Sequence, residues 1–206
     1  MLKRDSAFQI RSGRSVMRAN AIVVLLGALA ASGCVPEWAR QGDSPNVLLM
    51  TAINSGSPIN SDVRISSGAV CPDFASLRVE NHLRNPLNTD ASFRSDIVIE
   101  RYDVRYFRSD GRSTEGIDVP FRITGNVAQE IQASNAAVLS LEIVRRQAKL
   151  EPPLRNLQGL GGAQVVTMFA EVTLHARSTI QQTTNAASAR VQIDFADFTD
   201  SVTTCP

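Results

Sequence analysis

The chain has 206 residues, of which 43% are hydrophobic and 20% are charged, and its formal net charge is +1. These values are typical of a folded domain and exclude a disordered or collagen-like chain. So small a net charge also argues against a strongly basic nucleic-acid-binding protein.

The first part of the chain differs in charge from the rest. Residues 1–33 hold five basic residues and one acid, which leaves 16 basic and 19 acidic residues after them and a net charge of −3. Phosphate backbones and anionic membrane surfaces attract cationic proteins. We therefore expect no nucleic-acid partner.

A basic stretch that ends at Arg18 precedes the ten apolar residues 21–30, and Ala31-Ser32-Gly33-Cys34 follows. Ten residues are too few to span a bilayer but suit an export signal. Small residues followed by cysteine resemble the lipobox of bacterial lipoproteins, with Ala31 where Leu is usual. The resemblance implies a signal peptide at 1–33 that is cleaved and fatty acyl chains, palmitate among them, on Cys34. The alternative is an ordinary secretory signal that leaves Cys34 as a free thiol.

The lipoprotein resemblance also implies a location. Val35 is not the Asp that typically retains such proteins at the inner membrane, so we expect the periplasmic side of the outer membrane. Each buried methylene contributes about 0.8 kcal/mol, and two or more acyl chains anchor a protein stably. Residues 34–45 contain Pro36 and Gly42 and are expected to form a tether to a domain at 46–206. Translation from Met1 and from Met17 both remain open.

If Cys34 carries lipid, two cysteines remain, Cys71 and Cys205. Export to an oxidising compartment favours a disulfide between them. The alternative is two buried or free thiols. A redox or zinc site is not expected, because neither cysteine has the CxxC spacing of such a site.

Alternation of apolar and polar residues predicts strands along the rest of the chain. The predicted strands are 47–53, 63–66, 77–83, 101–106, 117–123, 139–144, 166–177 and 190–195. A helical turn is expected within 151–158, which two prolines open. About eight strands joined by turns predict an all-β fold, an antiparallel β-sandwich.

The strand pattern resembles that of immunoglobulin-like sandwiches, although the cysteine–tryptophan–cysteine core is absent and Trp38 lies in the tether. The runs 101–112, 116–120 and 191–198 look like those of a family of uncharacterised bacterial lipoproteins. This resemblance extends over most of the mature chain and implies no known activity.

Catalytic chemistry has few candidate residues. The histidines His82 and His175 alternate with apolar residues, so pairing with Glu80 and Glu171 on the polar faces accounts for them without catalysis. No hydrolase, zinc-protease or phosphate-loop motif occurs. We therefore predict a protein that is not an enzyme and binds no cofactor.

Two polar clusters suggest ligands. Asp194, Asp197 and Asp200 offer oxygen ligands for calcium, but their spacing does not match an EF-hand, and we predict no metal site. The densest cationic patch comprises Arg101, Asp103, Arg105, Arg108 and Arg112. Its arginines would either hold a carboxylate or phosphate or pair with Asp103, Glu100 and Asp110.

These observations favour a lipid-anchored, non-enzymatic interaction or structural module of the bacterial cell envelope. Its expected partner is another envelope protein, bound at edge strands or end loops. The alternative is binding of a small apolar ligand, such as a lipid, between the two sheets.

Overall fold

A computed structural model describes residues 44–85, 87, 96–198 and 204–205. Cys34, the predicted cleavage site before it and most of the predicted tether lie outside these residues, as does Asp200. The predictions that rest on them remain predictions.

Eight strands and one short α-helix form the described part of the chain. They are β1 (Asn46–Ile53), β2 (Ile59–Asp62), β3 (Asp73–Leu83), β4 (Ile97–Arg108), β5 (Ile123–Ile131), β6 (Ala136–Val144), α1 (Arg146–Leu150), β7 (Val166–Ser178) and β8 (Thr184–Ala196). Two 3-10 helices lie at Asn54–Gly56 and Leu154–Leu157.

The strands form two sheets, ordered β1-β3-β6 and β2-β8-β7-β4-β5. Among the described strands, β2 pairs with β8 in parallel and every other pairing is antiparallel. The predicted β-sandwich of about eight strands is confirmed. Its core is one cluster of apolar side chains from both sheets.

The alternation that predicted β7 corresponds to burial. Met168, Val172 and Leu174 are fully buried, whereas Phe169 and Arg177 on the other face are exposed. Burial of this apolar face stabilises the sandwich by about 25 cal/mol for each Å² removed from water.

The predicted strand at 117–123 is wrong, because the structure has a loop there. The N–H groups of Ile117, Asp118 and Val119 all donate to the carbonyl of Thr114, which closes a turn instead of a ladder. Strand β5 begins only at Ile123 and runs on through a polar segment in which no strand was predicted.

Of two smaller predictions, one is wrong and one is confirmed. No strand lies at 63–66, because β2 ends at Asp62 and the chain turns after it. The helical turn expected within 151–158 is the 3-10 helix Leu154–Leu157, and α1 before it was not predicted.

The sandwich has two distinct ends. Ser44 leads into β1 at the end that we call the tether end, where Asn185 Nδ2 donates to Ser44 Oγ at 3.0 Å and Asn81 Nδ2 donates to the Ile131 carbonyl at 3.0 Å. At the opposite end, the loop end, β4 leads into the 109–122 loop and β6 leads into α1. The cysteine bridge described below also lies at the loop end.

Candidate functional site

A disulfide joins Cys71 to Cys205 at the loop end. This pairing confirms the prediction from cysteine count and export. Cys71 lies two residues before β3 and is 5% exposed, whereas Cys205 is exposed.

A cleft of about 580 Å³ opens beside this disulfide. Its walls come from β2, the segment between β2 and β3, the start of β3, α1 and the segments after β8. The residues that line it are Asn60, Asp62, Ile65, Cys71, Pro72, Asp73, Lys149, Phe198, Thr204 and Cys205. The cleft thus lies at the end of the sandwich and not between the faces of the two sheets.

A buried ion pair forms one wall of the cleft. Lys149 is 1% exposed, and its Nζ donates to Asp73 Oδ1 at 3.0 Å and to the Asp62 carbonyl at 2.8 Å. Ser61 Oγ donates to the other Asp73 oxygen, Oδ2, at 2.5 Å. The pair ties α1 to the strands beneath it.

Burial of the Asp73 carboxylate raises its pKa, and Lys149 and the Ser61 hydroxyl oppose that rise. The carboxylate is therefore sensitive to the loss of its cation. Lys149 is the only lysine after residue 33, a singularity visible in the sequence. Its burial and its partner were not predicted, since alternation along strands contains no information on α1.

Two apolar side chains are exposed on the 109–122 loop, whose backbone is held by hydrogen bonds within the loop. Ile117 is 71% exposed and Phe121 is 57% exposed, whereas Val119 between them is fully buried. The Phe121 ring lies over Gly116, where a Cβ atom would approach it to 2.7 Å. Gly116 also has φ +76°, a conformation that favours glycine.

Ion pairs brace the same loop from both sides. Arg112 lies 2.7 Å from Asp110 and 3.6 Å from Asp118, and Arg122 lies 3.2 Å from Glu115. These pairs are exposed and individually weak. The loop is thus crosslinked by ion pairs and attached to the hydrophobic core by Val119.

Each histidine lies beside one carboxylate. His82 Nε2 is 2.8 Å from Glu80, as its strand neighbours predicted. His175 Nε2 is 2.7 Å from Asp103 on β4, whereas Glu171, the partner expected from the sequence, pairs with Arg190. Register between strands decides the His175 contact, and a single strand's sequence does not reveal it.

Asp103 is the centre of a small polar network on the outer face of the larger sheet. Burial acts to raise its pKa, but hydrogen bonds from Thr124 and His175, together with the charges of Arg101 and His175, lower it overall. Arg101 lies 3.5 Å from the same carboxylate.

The predicted cationic patch is largely internally paired. Arg101 pairs with Asp103, and Arg108 lies 3.6 Å from Asp110. Glu100 pairs with Arg177 at 3.4 Å instead of with the patch. Arg105 is exposed and has no ion pair within the described chain.

The aspartates near the C-terminus serve as hydrogen-bond acceptors. Asp194 accepts hydrogen bonds from Thr167 and Gln192, and Asp197 accepts one from the Gly159 N–H. In the part of the chain that the structure describes, no cluster of three or more acidic, histidine or cysteine side chains is arranged to hold a metal ion.

Comparison with known proteins finds no matching family model and no matching curated protein. No helix among residues 44–85, 87, 96–198 and 204–205 combines the length and apolar character required to cross a bilayer.

Proposed function

We propose that this protein is a lipid-anchored, non-enzymatic interaction module of the bacterial cell envelope. Acyl chains on Cys34 would hold it at the outer membrane, on the periplasmic side, and its loop end would bind another envelope protein. The proposal joins the lipobox resemblance of the N-terminal segment to the arrangement of the described domain.

The observation that supports it most directly is the separation of the two ends. The chain leads into β1 at the tether end, beside Asn185. The apolar side chains Ile117 and Phe121 lie at the opposite end, in the 109–122 loop. A tether joined at one end and apolar side chains exposed at the other fit a module that is anchored by the first end and binds its partner with the second.

The 109–122 loop has the properties expected of the residues that supply most of the binding energy at a protein interface. Exposed apolar side chains that are scattered singly need no explanation, but two on one braced loop form a candidate contact. Because Val119 and the ion pairs already hold the loop, little conformational entropy would be lost on binding.

The contacts of the two histidines support a non-enzymatic role. His82 and His175 each contact a carboxylate on a strand face, and no hydrogen bond joins either to a serine, threonine or cysteine among the described residues. A nucleophilic mechanism needs such a contact to activate its attacking group.

The cleft favours a second candidate function, binding of a small apolar ligand such as a lipid. Its volume of about 580 Å³ suits a small molecule, and Ile65, Pro72 and Phe198 give it an apolar side. Native mass spectrometry of protein extracted from membranes would show a bound lipid under this function. Protein free of any adduct would count against it.

The first proposal is tested by a photocrosslinking amino acid placed at Phe121 in the full chain, in living cells. A discrete adduct with another envelope protein is expected, and Ile117→Asp should abolish it. The matched control is the same amino acid at Ile180, which is 53% exposed at the tether end. No adduct at Phe121, or the same adduct from both positions, would contradict the proposal.

A further inference from the structure

Strand β6 is an edge of the smaller sheet, and its Ala136–Leu141 segment lacks the features that usually protect edges, because the register shift of β6 against β3 lies beyond this segment, opposite Asp73 and Phe74. Such features are short length, bulges, proline and charge. By comparison, β2 has four residues, and the register of β1 shifts between Met50 and Ala52. β6 has nine residues, and its Ala136–Leu141 segment contains no charged residue, proline or glycine.

Hydrogen bonds show which backbone groups of β6 face outward. The Asn81 N–H of β3 donates to the Asn135 carbonyl at 2.9 Å, and the register from there to Glu142 is regular. Residues whose backbone groups bond to the neighbouring strand alternate with residues whose groups point away from it in an antiparallel pair. The backbone N–H and C=O groups of residues 137, 139 and 141 therefore point towards β3. The N–H and C=O groups of Ala136, Val138 and Ser140 therefore point away from the sheet.

The last part of this edge is satisfied by the chain itself. Tyr102 donates its hydroxyl to the Glu142 carbonyl at 3.2 Å, and Tyr106 donates to the Ile143 carbonyl at 2.5 Å. No described strand pairs with the remaining edge, and a cleft of about 370 Å³ opens beside Ala136 and Ala137. Val138, on the outer face, is 67% exposed.

We propose that β6 pairs with β6 of a second copy of this chain, antiparallel and about a two-fold axis through Val138. Val138 then lies opposite Val138 of the partner subunit, and Ala136 lies opposite Ser140 of the partner subunit. In this register every outward N–H and C=O of Ala136, Val138 and Ser140 finds a partner.

Side chains and charges agree with this register. The exposed Val138 is covered by its own symmetry mate, and no like charges meet along Ala136–Leu141. Shifting the register by two residues would place Ala136 opposite Glu142, whose carbonyl already accepts a bond from Tyr102. The observed contacts therefore favour the two-fold axis at Val138.

This association goes beyond the proposed function and leaves the loop end of each copy free. Antiparallel pairing places the two tether ends at opposite ends of the dimer.

Cysteine crosslinking of the full chain in cells tests the pairing. Bonded cross-strand residues have Cα atoms about 5.5 Å apart, a distance that a disulfide spans. Under mild oxidation, Val138→Cys should shift most chains to a reducible band at twice the monomer mass. The control is Phe74→Cys, which is 52% exposed on the central strand of the same sheet and should stay monomeric.

A second measurement does not depend on crosslinking. The protein extracted in mild detergent should sediment as a dimer, and Val138→Lys, which places a charge on the edge, should sediment as a folded monomer. A monomer at every concentration would overturn the proposal. Equal crosslinking of both cysteine variants, or a Val138→Cys adduct with a different protein, would overturn it too.

Discussion

Replacing Lys149 with methionine tests the buried ion pair at the loop end. Lys149 is 1% exposed, and its Nζ lies 2.9 Å from Asp73 Oδ2. Methionine keeps much of the side-chain volume but leaves the largely buried Asp73 carboxylate without its cation. Removing one partner of a buried pair costs about 3–5 kcal/mol. That is a large share of the roughly 5–15 kcal/mol by which a typical domain is stable.

The pH dependence of the stability lost in Lys149→Met distinguishes the effect of the missing charge from the effect of altered packing. Burial raises the pKa of Asp73 and Lys149 opposes the rise, so in Lys149→Met the pKa of Asp73 lies higher still. The folded variant then binds a proton more tightly than the unfolded chain does. Its stability therefore recovers as the pH falls through the raised pKa, and the loss is largest above it.

The assay is urea unfolding followed by circular dichroism at about pH 8 and about pH 5, with the disulfide intact. The double variant Lys149→Met, Asp73→Asn should regain most of the lost stability, because neither charge is then buried. Arg177→Met breaks an exposed pair with Glu100 and should cost at most about 1 kcal/mol. Unchanged stability of Lys149→Met, or an equal loss at both pH values, would refute this reasoning.

Three further substitutions test the disulfide and the contacts of Tyr102 and Tyr106 by the same unfolding assay. Cys71→Ser opens the disulfide with Cys205, and it should lower the free energy of unfolding by up to about 5 kcal/mol; reductant should add nothing to this loss. Gly125→Ala places a Cβ against the Tyr102 ring and should cost about 1–3 kcal/mol, whereas no loss would contradict the tight approach. Tyr106→Phe removes the buried hydrogen bond to the Ile143 carbonyl of β6 and should lower the free energy of unfolding by about 1–2 kcal/mol. Unchanged stability of this variant would contradict a contribution of that bond.

Alternation of apolar and polar residues predicted a strand correctly wherever one face of that strand is buried and the other is exposed to solvent. β7 and the second half of β8 were predicted for this reason, because core residues and solvated residues alternate along them. β5 was missed because it is an edge strand whose middle is mostly polar, so that burial at Ile123 and Ile131 marks only its two ends.

The predicted strand at 117–123 shows the limit of the same pattern. Ile117, Val119 and Phe121 alternate with polar residues and proline, but only Val119 is buried. Gly116 permits a turn at which the chain folds back on Thr114, and local hydrogen bonds then replace a ladder. Apolar spacing alone does not distinguish a strand from a braced loop with exposed apolar side chains.

Contacts between distant elements could not be predicted from the sequence. The disulfide was inferred by counting cysteines, a global constraint that needs no geometry. The Lys149 pair and the contact between His175 and Asp103 depend on which strands are neighbours and in what register. That information arises only when the two sheets are assembled.

The most direct test of the proposed anchoring is the attachment of lipid to Cys34. Cells expressing the full chain would be fed an alkyne fatty acid, and the protein would be assayed for label and for its membrane fraction, beside Cys34→Ser. We expect the unaltered protein to be labelled and to lie in the outer-membrane fraction. We expect the Cys34→Ser protein to carry no label and to be absent from that fraction. Absence of label from the unaltered chain, or a Cys34→Ser protein that still fractionates with that membrane, would contradict it.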